Sequence, residues 1–222
     1  AGDEMNPDLI PFIAVVLAVG GFFLGSVMFS RWIPLWLRGV DVCEQHPDRN
    51  PGAGNVFMSC GWRLGMICLI FDLAKGFVPV YAAVRLGLAG TPAFAVIAAA
   101  PVLGHAIAPL NGFHGGKCIS TIFGTLLGMA KYTPLVFLLA VIYILFSTVI
   151  KINPNRRRSI VTFTLFGLIG TAAEVYSGRV FTALYCSAVS FTAILRHRRQ
   201  QNENDTDGEQ ESAAVTDRRK HI

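Results

Sequence analysis

The sequence predicts an all-α polytopic membrane protein of about seven transmembrane helices, with the N-terminus outside and the C-terminus cytoplasmic. Three observations predict it. The 222 residues are 53% hydrophobic and only 15% charged, with a mean hydropathy of +0.51, a balance that excludes an ordinary soluble domain. Seven apolar runs follow one another, separated by polar connections. Of the 19 lysines and arginines, 15 fall in connections on one side of a seven-span arrangement and 3 on the other, with Lys75 inside a run. The positive-inside rule makes the basic side cytoplasmic.

The first run, Leu9 to Ser30, is uncharged over 22 residues, close to the roughly 20 needed to cross the hydrocarbon. Acidic residues precede it and no small-residue cleavage signal ends it, so it reads as a retained helix and not a signal peptide. The polar segment Arg31 to Arg63 carries Pro34, Pro47, Pro51, Gly52 and Gly54, which predicts an ordered loop against the membrane face. The second run, Leu64 to Val84, contains Asp72 and Lys75. Their spacing puts them on one helix face, where pairing lowers the cost of each charge and makes both candidates for a place in or beside a site. The third, Leu86 to Leu110, ends near His105, and the fifth, Tyr132 to Ile150, is long enough to cross.

Three runs are short. Ile119 to Ala130, Ile160 to Ala173 and Val180 to Leu195 hold 12, 14 and 16 residues. They cross only if ends such as Lys131, Glu174, Arg179 and Arg196 extend them by snorkelling or the bilayer thins. The organisation expected is an extracytoplasmic N-terminus (1–8), one membrane domain (9–199) and a polar cytoplasmic tail (200–222). The tail is expected to be disordered and is a candidate docking segment for a protein partner. Basic runs such as Arg156-Arg157-Arg158 suit anionic lipid headgroups, and no nucleic-acid partner is expected. The five cysteines are odd in number, lack a C-x-x-C pair and read as small buried hydrophobes.

The stretch Gly104 to Thr121 interrupts the apolar pattern with glycines, two histidines, Lys117 and hydroxyls. Glycine lets main-chain N–H groups approach an anion, and the run that follows supplies a helix N-terminus. A glycine-rich connection with a snorkelling lysine explains the same residues. The string is not a nucleotide P-loop, since Asn111 and Cys118 stand where that motif needs Gly and Ser or Thr. Grouped by side, the polar connections bring together Asn55, Ser59 and Arg63, then His105 and Lys117, then Ser159, then His197. Cations, amides, hydroxyls and glycine turns at the level where helices end describe a site for a phosphorylated substrate at the membrane surface. His105 or His197 suits a general base. His105 and His114 stand nine apart with Cys118 beyond, which fits no usual metal spacing, so no metal is expected.

Taken in order, Leu24-Gly25-Ser26, Gly39-Val40-Asp41-Val42, Gly52-Ala53-Gly54-Asn55, Arg63, Phe71-Asp72-Leu73-Ala74-Lys75-Gly76-Phe77, Leu103-Gly104-His105, Gly112-Phe113-His114-Gly115-Gly116-Lys117, Ser159 and Arg196-His197-Arg198 carry a resemblance. The chain resembles the bacterial acyl-phosphate:glycerol-3-phosphate acyltransferase family (PlsY), as a diverged member. The resemblance implies a multi-pass protein of the bacterial inner membrane that moves a fatty acyl group from acyl-phosphate to glycerol 3-phosphate, giving lysophosphatidic acid in phospholipid synthesis. A related phosphate-bearing or polyol acceptor is the near variant, and no cofactor is implied. It assigns phosphate binding to Arg63 and Lys117 with Ser59, Gly112, Gly115 and Gly116, and places Asn55, Ser159, His105 and His197 at the chemistry. On this register Ala53 stands where the pattern has serine, Cys118 where it has glycine and Gln200 where it has asparagine. Two other classes remain open from the residues: a PlsY-like membrane subunit, altered or inactive in catalysis, that binds lipid or scaffolds a complex, and a small-solute transporter with Asp72 and Lys75 on its path.

Overall fold

The computed structural model describes residues 9–199, and all regular structure among them is helical. The expectations for residues 1–8 and 200–222, including Gln200 and the partner-binding tail, lie outside the described residues.

Every apolar run becomes a helix, with boundaries set by local chemistry. α1 (Ile10–Ser26) is followed after two residues by α2 (Phe29–Arg38), and the two are bent by 46° at the break. The run Leu9 to Ser30 is therefore not one straight span. The polar segment after it is ordered, as expected, but is more helical than its prolines and glycines suggest. α2 closes on Gly39, which adopts φ 65° and donates its N–H to Leu35 O. α3 (Val42–Gln45) is capped by Asp41, whose carboxylate accepts from Cys43 N–H at 3.0 Å. α4 (Ala53–Cys60) is separated from α5 (Trp62–Arg85) only by Gly61 at φ 82°.

The third run starts later than its apolarity implies. Gly87 and Gly90 both have positive φ and turn the chain, and α6 (Pro92–Ile107) begins at the Thr91 cap with proline in its first turn. After a 3₁₀ turn (Pro109–Asn111) and a glycine-rich loop come α7 (Ile119–Gly128) and α8 (Leu135–Ile144), the latter ending in a π turn (Leu145–Val149). α9 (Asn155–Tyr176) and α10 (Val180–Arg199) extend their apolar runs at both or one end with polar residues, reaching 22 and 20 residues. Among the described residues, α5, α6 with its 3₁₀ turn, α9 and α10 are each long and apolar enough to cross a bilayer. The bent α1–α2 pair makes a fifth such unit, while α7 and α8 are shorter.

Two close crossings hold the bundle. A Cβ on Gly104 of α6 would overlap the Phe22 carbonyl of α1, and one on Gly124 of α7 would overlap the Leu73 carbonyl of α5. Small residues let helix backbones meet where lipid supplies no hydrophobic driving force between them. Around these contacts Phe94, Ile97, Ile122, Leu126, Phe163 and Phe166 form a fully buried core. A smaller apolar cluster, Val42, Ala53, Val56, Leu64 and Cys68, fastens α3 and α4 to α5. Its effect is to hold the first polar loop over one end of the bundle.

Candidate active site

At that end lies a cleft of about 370 Å³, walled by the loop Asp48–Gly52, α4, the start of α7 and the facing ends of α9 and α10. Asn55, Asp72, His105, Lys117, Ser159 and His197 all line it. These residues are spread over 143 positions from Asn55 to His197, yet the helices return them to one place.

The ammonium of Lys117 meets Asp48 Oδ2 at 2.6 Å. The other carboxylate oxygen of Asp48 accepts from Asn55 Nδ2 at 2.8 Å and from Asn50 N–H at 3.3 Å. Asn55 Nδ2 also donates to Asn50 O at 3.0 Å, and Asn50 Oδ1 accepts from Lys117 N–H at 3.2 Å. Burial disfavours a charge on Asp48, but hydrogen bonds from Lys117 and Asn55 outweigh it and hold the carboxyl below the ordinary carboxylate range. No motif in the sequence marks Asp48 and Asn50. They precede the string Gly52–Asn55 on which the resemblance was placed, so the polar reach of this loop comes earlier than that register implies. Ala53 lines the cleft from the first turn of α4.

Both imidazoles are buried. His197 hydrogen-bonds Ala193 O through Nδ1 at 2.8 Å. A carbonyl can only accept, so Nδ1 carries the proton and the neutral ring leaves an acceptor lone pair at Nε2. Nε2 has no partner among the described residues. His105 Nδ1 is likewise unpartnered, and its ring packs so closely on Gly116 that a Cβ there would overlap it. Gly116 N–H donates to His105 O at 3.1 Å, and Arg196 donates to the carbonyls of Gly115 and Gly116. Two of the glycines expected to cradle phosphate make these docking contacts. Gly115 and Gly116 dock the loop on α6 and α10, and Gly112, at φ 61°, forms the preceding turn outside the cleft lining.

Two other predicted residues also lie outside the lining. Arg63 is exposed, with its guanidinium over the Trp62 ring at 5.7 Å, because the Gly61 turn carries the start of α5 away from the loop. Ser59 Oγ pairs with His46 Nε2 at 2.6 Å. The cations beside Lys117 are instead Arg156 and Arg158, from the first turn of α9. That turn also places buried Ser159 on the lining. The N-termini of α4, α7 and α9 all contribute to the walls, so three sets of main-chain N–H dipoles add positive potential to the three cations.

Beneath the cleft, Lys75 and Asp72 pair at 2.9 Å with almost no exposure. Ser30 Oγ donates to Asp72 Oδ2, and Lys75 Nζ donates to Val27 O at 2.8 Å. Val27 lies in the α1–α2 break, where a carbonyl lacks its helical donor. Lys75 supplies one, and thereby ties the elbow between α1 and α2 to α5.

The comparisons agree with this fold. Residues 15–203 match the family model described as glycerol-3-phosphate acyltransferase. A glycerol-3-phosphate acyltransferase of Thermotoga petrophila is 37% identical over 178 residues, covering 80% of this chain and 85% of that protein. Glycerol-3-phosphate acyltransferase 2 of Thermotoga maritima is 36% identical over 128 residues, covering 58% of this chain and 64% of that one. Crystal structures of PlsY (YgiH), an integral membrane glycerol 3-phosphate acyltransferase, in its glycerol 3-phosphate and lysophosphatidic acid forms, match with TM-scores of 0.72 and 0.71. Each is 25% identical and covers 87% of this chain and 92% of its own. A multi-pass helical fold, a cation-lined cleft at one end of it and a family match over most of the chain converge: this protein belongs to the glycerol-3-phosphate acyltransferase family.

Proposed function

We propose that this protein transfers a fatty acyl group from acyl-phosphate to the 1-hydroxyl of glycerol 3-phosphate, making lysophosphatidic acid for phospholipid synthesis. The observation that carries the reading is the joint lining of one cleft by Lys117, Asn55, Ser159 and two buried imidazoles with unpartnered nitrogens. The cleft faces the cytoplasm of the bacterial inner membrane, residues 9–199 form the catalytic membrane domain, and the N-terminus is outside.

Acyl-phosphate is a mixed anhydride, already activated, so the protein has mainly to align and to balance charge. The acceptor hydroxyl oxygen attacks the acyl carbonyl carbon and forms the new ester C–O bond. The C–O bond to phosphate breaks, and inorganic phosphate leaves with that electron pair. The hydroxyl proton passes to His197 Nε2, the lone pair left free by the Nδ1 bond to Ala193. Lys117, Arg156, Arg158 and the three helix N-termini stabilise the phosphates of acceptor and leaving group, while Asn55 and Ser159 supply neutral hydrogen bonds to orient them. His105 sits against the Gly116 backbone and keeps the Lys117 loop in position.

The test is lysophosphatidic acid formation by purified protein given acyl-phosphate and glycerol 3-phosphate. Lys117→Met removes a charge-assisted contact and is expected to lower kcat/KM by about 10- to 100-fold. His197→Gln is expected to lower kcat by about 100-fold or more with KM for glycerol 3-phosphate little changed. Full activity in both variants would sink the assignment.

A further inference from the structure

Three donors of the cleft converge on a carboxylate of the chain itself. The ammonium of Lys117, the amide of Asn55 and the main-chain N–H of Asn50 all point at Asp48, at 2.6, 2.8 and 3.3 Å. An ammonium, a neutral amide and a backbone N–H form the kind of set that binds phosphate oxygens. In the cleft they surround two oxygens of opposite charge to the ammonium, carried on a short side chain. The pair is partly open: the Lys117 side chain is 24% exposed and that of Asp48 33% exposed. A pair this accessible to water is weakly held, and it can part without leaving a bare charge in a dry interior. The other acidic group on the lining, Asp72, is differently placed, being tied to Lys75 and Ser30 below the cleft.

We propose that Asp48 is an internal stand-in for the acceptor's phosphate: it holds Lys117 and Asn55 in their binding positions and is exchanged for that phosphate on binding. The inference rests on the reading that the acceptor bears a phosphate. Asp48 is thus the residue that sets acceptor affinity. Its charge organises the donors beforehand, which limits the ordering cost of binding, and also competes with the arriving anion. A neutral side chain of the same shape keeps an acceptor oxygen for Asn55 but gives up the competition for Lys117.

The experiment compares the full chain in detergent with its Asp48→Asn and Asp48→Ser variants. Binding of inorganic phosphate and of glycerol 3-phosphate is followed by calorimetry, and kcat and KM by product formation. Loss of a weakly held, part-exposed pair is worth about a two- to fivefold change in an equilibrium constant. Asp48→Asn is therefore expected to bind inorganic phosphate about two- to fivefold more tightly and to lower KM for glycerol 3-phosphate by a similar factor, without raising kcat. Adding Lys117→Met should cancel the gain, because the competition is for that ammonium. Weaker or unchanged phosphate binding in a folded variant would overturn the proposal and leave Asp48 as a brace of its loop. Lost kcat at unchanged KM would overturn it in favour of contact with the reacting atoms. Should Asp48→Asn fail to fold, Asp48→Ser decides by the same readouts. If the wild type makes no lysophosphatidic acid yet Asp48→Asn gains phosphate affinity, the stand-in role holds and the enzymatic reading fails.

Discussion

Lys75, which the sequence offers for a place in or beside a site, has its ammonium committed to holding the bundle. Its ammonium is divided between the Asp72 carboxylate and the Val27 carbonyl, out of contact with water. The i,i+3 spacing made the pairing with Asp72 legible, but nothing in the sequence marks residue 27 as a carbonyl needing a donor. Lys75→Met leaves Asp72 as an uncompensated buried charge and reopens the elbow. The expected cost is about 3–5 kcal/mol, read as a lower melting temperature in detergent. The double variant Asp72→Leu, Lys75→Met should recover much of it, since removing both charges removes the penalty that removing one creates. Asp48 is the opposite case. An aspartate between Pro47 and Arg49 reads as a solvated charge, and its role emerges only when a lysine 69 positions later folds onto it. Arg63 marks the third kind of discrepancy. The residue type suited phosphate, but one glycine with positive φ decides which way the next helix faces.

Elements were more legible than the contacts between them. Apolar runs located every membrane helix, because length and lack of charge are direct consequences of the bilayer as solvent. The polar loop was less transparent. α2 (Phe29–Arg38) exposes Trp36 and Leu37 while burying Ser30 and Pro34, a pattern suited to the interface between lipid and water. Its helical spacing of Trp32 and Trp36 was the available signal, overridden by the breaker at Pro34. Glycines within helices carried information of another sort. In sequence Gly124 only weakens a helix, whereas in the bundle it sets how closely α7 can lie on α5. Gly124→Ala forces a methyl group into the Leu73 carbonyl, and helix separation can relieve this only by disturbing the core. A loss of about 1–3 kcal/mol is expected by thermal melting, with reduced turnover because Lys117 lies in the loop that leads directly into α7. An Ala variant as stable and active as the parent would show that the crossing is loose.

For the whole molecule, the bilayer assigns each end a compartment. The cleft end carries Lys117, Arg156, Arg158 and Arg196, while the far end holds the Glu174–Arg179 pair, in which Thr133 Oγ1 donates to Glu174 at 2.7 Å. The excess of basic residues at the cleft end supports a cytoplasmic cleft. Single cysteines at exposed Arg157 and Ser177, introduced where the native cysteines have been replaced, test this in intact cells. An impermeant thiol reagent added outside should label Ser177→Cys and spare Arg157→Cys, and the reverse pattern would invert the topology. The seven apolar segments were legible as a set, but their division into full and partial crossings was not. That division depends on how far polar residues extend each helix, as at Asn155 and Arg199, and on where a break such as Val27 falls.

The three helix N-termini around the cleft have a consequence for its evolution as well as its chemistry. A peptide dipole belongs to the main chain, so it survives every exchange of side chain and gains or loses no proton as acidity changes. Part of the pull on a phosphate is therefore built into how the bundle is threaded. Individual cations around such a mouth can be lost, moved or opposed by an acid while the fold continues to draw in anions.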